Sequence, residues 1–131
     1  MSANDHARPP FLWGPVILYM ALIFYVSSLH EAPLPQGVSD KSAHWLGYTG
    51  FSVTIVRALA GGLPRRISVR TAVVAILIAV TYGASDEFHQ RFVAGRSAEL
   101  ADLAADALGA IVGAAACWAW GIISLRSRHE L

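Results

Sequence analysis

Charge is what this chain has little of. Only 15% of its 131 residues are Asp, Glu, Lys or Arg, where about a quarter is usual in a soluble domain. A chain this short keeps a large share of its surface outside any core, and ten basic plus nine acidic side chains are too few to wet it. A soluble enzyme and a disordered tail are both disfavoured. The net charge of +1 provides no bulk field for nucleic acid, which is not expected as a partner. One cysteine, Cys117, excludes an intrachain disulfide framework and a cysteine-based zinc site, and its apolar surroundings mark it as a small buried hydrophobe. Internal repeats, phosphate-cradling glycine loops, low-complexity tracts and a nucleophilic serine motif are all missing.

What is present is apolar. Hydrophobic residues make up 55% of the chain, and mean hydropathy is +0.48. Pro9 to His30 runs 22 residues without a formal charge and Ala107 to Leu125 runs 19; the windows between Lys41 and Arg57 and between Arg70 and Asp86 hold 15 each. A helix needs about 20 apolar residues to cross the hydrocarbon core. The outer windows suffice alone, and the middle two reach that length by taking in polar residues at their ends. The expectation is an all-α, polytopic membrane protein: one domain over 1–131, a four-transmembrane-helix bundle with helices at about 11–29, 41–61, 70–91 and 99–124. Pro33, Pro35 and Gly37, then Gly62 and Pro64, then Gly95 fall between these segments, as breakers should. Pro15 is expected in the first turn of its helix, where proline is tolerated.

The first apolar stretch is longer than a signal core, and no small-x-small site stands out before Glu31, so it is expected to remain as a span. Arg8, Arg57, Arg65, Arg66, Arg70, Arg126 and Arg128 would share one side, and Lys41, Arg91 and Arg96 the other. That imbalance puts both termini in the cytoplasm, with Arg57 snorkelling toward its side. The expected location is multi-pass in a bacterial cytoplasmic membrane.

The unusual chemistry gathers at the opposite, outer ends. Asp40, Asp86, Glu87, Glu99, Asp102 and Asp106 are six of the nine acids, and Lys41, His44, Tyr48, His89, Gln90, Arg91 and Arg96 lie beside them. Ionisable groups inside a membrane face the bundle interior or a hydrated cavity and pair with one another. Lys41, His44 and Tyr48 share a helix face, Asp86 shares one with Gln90, and Glu87 is spaced to pair with Arg91. Asp102, Asp106, Gly109 and Gly113 form a single stripe, two carboxylates followed by two small residues that let helices approach closely. Asp106 sits about two turns inside its helix, roughly 10 Å, and needs a partner or a proton. Structural readings compete throughout. Asp40 suits an N-cap, Glu99 a helix-start charge, Lys41 and Arg91 snorkelling, and His44 with Tyr48 an interhelical hydrogen bond. His30 and His89 suit interface positions, Arg96 a headgroup contact, and the whole set a structural polar network.

Asp40-Lys41-Ser42-Ala43-His44, then Tyr48, then Asp86-Glu87-Phe88-His89-Gln90-Arg91-Phe92, then Arg96, Asp102, Asp106, Gly109 and Gly113, together with Ser27-Ser28, resemble the VanZ-like family. That family is named for a membrane protein associated with teicoplanin resistance. The resemblance implies a small multi-span envelope protein, linked in some cases to reduced glycopeptide sensitivity, and it carries no established biochemical activity. Its pattern generally has Asn where this chain has Asp106, so the present site has an added carboxylate.

Three functions follow. A binding protein would hold a lipid headgroup or cell-wall precursor, Lys41 and Arg96 meeting its anionic groups and Tyr48, Gln90, Asp102 and Asp106 lining the site. A membrane-embedded hydrolase or transferase would use His44 as base with Glu87 or Asp86 as acid, or a Mg, Mn or Ca ion held by Asp86, Glu87, Asp102, Asp106 and His44. A proton-coupled transporter would relay through Asp106, His44 and Tyr48. No motif names a cofactor. Membrane lipids are the expected partners, and a homo-oligomer is left open.

Overall fold

A computed structural model describes residues 8–31 and 33–129. Four helices, α1 (Pro9–Ser27), α2 (Asp40–Ala60), α3 (Val69–Gln90) and α4 (Leu100–His129), account for its regular structure, and no strand occurs among the described residues. Three of them, α1, α3 and α4, are long and apolar enough to cross a membrane. At 30 residues, α4 is about 45 Å long. It continues past the expected end near 124 because nothing after Gly121 breaks it.

Helix α2 falls short of that apolar mark for a positional reason. It is the central helix, packed against all three others, and buries Tyr48, Phe51, Ser52, Ile55, Val56 and Ala58. A helix enclosed by its neighbours can carry hydroxyls and charges that a lipid-facing one cannot. Helix α1 is the opposite case: Ile17, Leu18, Leu22 and Tyr25 are all more than half exposed, as suits a surface turned to lipid.

Two interior contacts set the packing. Gly109 and Gly113 of α4 lie so close to α2 that a side chain at either would collide with its backbone, at Trp45 and Thr49 respectively. Cys117 is buried, with a free thiol. Serine caps start the inner helices. Ser39 Oγ accepts from Ser42 N–H at 3.1 Å and Ser68 Oγ from Thr71 N–H at 3.0 Å. The N-cap of α2 is therefore Ser39, and Asp40 is its first helical residue, because the shorter hydroxyl already satisfies the orphan N–H. Helix α2 ends on Gly61 in the left-handed region (φ 75°), its N–H reaching Ala58 O, a geometry that glycine adopts without strain.

Pro15 also differs from expectation. The helix starts earlier, with Pro9 and Pro10 in its first turn, so Pro15 is interior. It has no N–H for the carbonyl of Phe11, four residues back. Arg57 of α2 supplies the donor instead: its Nη1 donates to Phe11 O at 3.1 Å, and its guanidinium lies 4.7 Å above the Phe11 ring.

Candidate functional site

The C-terminal ends of α1 and α3 meet the N-terminal ends of α2 and α4, and the polar residues collect there. On α4, Asp102 and Asp106 are 3% and 1% exposed; on α3, Asp86 and Glu87 are 6% and 7%. Four carboxylates thus lie inside a bundle with few cations. Lys41 reaches in from the first turn of α2, its Nζ 2.7 Å from both Glu99 Oε2 and Asp102 Oδ1.

His44, one turn further on, is the centre of the arrangement. Its Nδ1 is 2.7 Å from Asp106 Oδ1, while Nε2 faces Asp40 and Asp102 at 3.7 and 3.9 Å. The alternative of a His44–Tyr48 hydrogen bond is not realised, because Asp106 takes the histidine. The Tyr48 hydroxyl is buried without a hydrogen-bond partner, as is Glu87 Oε1. The other oxygen of Glu87 accepts from the backbone N–H of Glu99 at 3.1 Å. That contact holds Glu87 toward the start of α4, and no ion pair with Arg91 forms among the described residues. Arg91 itself is exposed.

Room for this crowding comes from Gly83, one turn before Asp86 and Glu87. A Cβ there would lie 2.9 Å from Asp106 Oδ2 and 3.3 Å from the Tyr48 ring. Sequence reasoning missed Gly83; its only signal was a small residue three and four positions ahead of two acids, on a helix expected to face others.

Two openings reach the cluster. A cleft of about 210 Å³ between α1, α2 and α3 has Leu22, Ile23, Val26 and Leu34 on one wall and Asp40, His44, Tyr48, Asp86, Gln90 and Arg96 among its polar lining. A second, of about 290 Å³, lies between α3 and α4, with Glu87, Arg91 and Glu99 beside Phe88, Leu100 and Leu103. Of the residues singled out from the sequence, Asp40, Lys41, His44, Tyr48, Asp86, Glu87, Gln90, Arg96, Asp102 and Asp106 come together here. Gly109 and Gly113 serve the helix contact below. His89 points the other way, stacked on Phe24 with Nε2 3.0 Å from Ser28 Oγ, tying α3 to α1.

The family model VanZ/LLP1 matches residues 12–123. This chain belongs to the VanZ-like family. The match runs from α1 to within α4 and includes every residue of the polar cluster. No curated protein and no solved structure matches the chain. Within the matched region it is the Asp106 carboxylate that His44 engages.

Proposed function

We propose that this VanZ-like protein is a four-span bundle with both ends cytoplasmic, whose outer-face cleft binds an envelope lipid or a lipid-linked cell-wall precursor. The make-up of the cleft carries this reading. It sets an arginine and hydrogen-bonding groups against an apolar wall supplied mainly by the lipid-facing helix α1, and an amphiphile has the matching two parts. Lys41 is engaged by Glu99 and Asp102, so the anionic group falls to Arg96, whose fork suits phosphate or carboxylate. For the fourth span, α2 has 21 residues, about 31 Å at 1.5 Å per residue. The arginine-rich α2–α3 connection supports the orientation.

Native mass spectrometry of detergent-extracted protein tests the binding. Wild type is expected to retain an anionic lipid that Arg96→Ala releases; equal lipid retention by the two contradicts the assignment. The link to teicoplanin rests on the family's name, and drug sensitivity of cells expressing wild type or Arg96→Ala tests it. A membrane-embedded hydrolase remains the second reading, favoured by the 2.7 Å approach of His44 to Asp106. Transport has less support, because Arg57 in the other half of the bundle is taken up by backbone carbonyls and offers no proton relay.

A further inference from the structure

We propose that His44, Glu87 and Asp106 form a site for one divalent cation of the Mn²⁺-to-Zn²⁺ class. The three residues come from α2, α3 and α4, and each offers one ligand atom such that all three atoms lie within 4.8 Å of one another. Neighbouring ligands on an octahedral ion with bonds near 2.1 Å are about 3 Å apart, so small side-chain rotations would close the set. One imidazole and two carboxylates suit manganese, iron or zinc better than calcium, which takes oxygen alone.

Further observations point the same way. The Tyr48 hydroxyl, in a residue only 3% exposed, has no hydrogen-bond partner, and its ring lies with Asp106 around Gly83. A water on the ion would give it one. Glu87 Oε1 is likewise buried and unpartnered. The second ring nitrogen of His44 lies 3.7 and 3.9 Å from the carboxylates of Asp40 and Asp102, beyond hydrogen-bond length but near enough for either to become the outer-shell partner that orients a metal-bound imidazole. Charge adds its own argument. Four buried carboxylates face Lys41 and His44, and unpaired charge is costly away from water; a divalent ion neutralises two of them at once. The ion would be reachable from both openings, since His44 lines one and Glu87 the other.

The site is tested with Mn²⁺ alone, on the full chain in detergent, by titration and pulsed electron paramagnetic resonance. Wild type is expected to bind one Mn²⁺ per chain with an imidazole-nitrogen modulation. Glu87→Gln is expected to bind about 10-fold or more weakly, and Arg96→Ala to keep the ion even where it loses lipid, which separates this proposal from the lipid reading. Should Glu87→Gln fail to fold, the nitrogen signal in wild type and its loss in Gly83→Ala, which crowds Asp106, decide the matter. Wild type that takes up no Mn²⁺, or that binds it without nitrogen coupling, overturns the proposal and leaves protons to neutralise the carboxylates.

Discussion

The two ends of this bundle handle charge in opposite ways. At one end the half-buried Arg57 meets a backbone defect of matching size: Pro15 leaves the Phe11 carbonyl without its helical donor, and the guanidinium fills the gap while stacking on the Phe11 ring. Charge and need cancel within the chain. At the other end Asp86, Glu87, Asp102 and Asp106 outnumber the cations that reach them, and buried polar atoms, the Tyr48 hydroxyl and one Glu87 oxygen among them, stay unpartnered. An excess of polar groups at one end and a balance at the other is the pattern on which the proposed ligand and cation sites rest. The proposed site lies at the end with surplus polar groups, and the presence of charge alone does not mark it.

Mutations should separate the ends, beginning with the largest effect. His44→Ala removes the group that both Asp106 and the outer carboxylates face, and is expected to lower stability by about 3 kcal/mol or more, as when one partner of a buried pair is lost. Chemical unfolding in mixed micelles measures it. Arg57→Ala orphans the Phe11 carbonyl and should cost about 1.5–3 kcal/mol, the range for a hydrogen bond to a charged group. In a Pro15→Ala background, where the backbone N–H returns, that cost is expected to shrink to under about 1 kcal/mol; an undiminished cost would separate Arg57 from the proline. Asp106→Asn is the smallest. It keeps an acceptor for His44 and removes one surplus charge, so stability should stay within about 1 kcal/mol of wild type or rise, while Mn²⁺ affinity falls. A loss as large as that of His44→Ala would mean that the cluster is a closed structural network.

The sequence made much of this architecture legible. Charge-free windows and breakers located the helices, because a bilayer penalises exposed charge and backbone alike. Helical spacing placed Asp102, Asp106, Gly109 and Gly113 on one face. Spacing cannot say what stands opposite that face. Lys41 and Asp102, 61 positions apart, and Arg57 and Phe11, 46 apart, meet only once the helices pack, and Gly83 has meaning only beside Asp106 and Tyr48. Local choices between equivalent groups were also beyond reach: Ser39 and Asp40 are both good caps, and the fold uses the serine. Pro15 stands at the fifth position even of a helix beginning at 11, past the first turn, and the start at Pro9 places it deeper still.

Thermal unfolding with and without Mn²⁺, on wild type, Arg57→Ala and Glu87→Gln, tests the contrast between the ends most directly. A ligand at 100 times its dissociation constant stabilises the folded state by about 2.7 kcal/mol. The account predicts that Mn²⁺ raises the melting temperature of wild type and of the weakened Arg57→Ala by similar amounts and leaves Glu87→Gln unmoved. Equal shifts in all three proteins, or none in wild type, would contradict it.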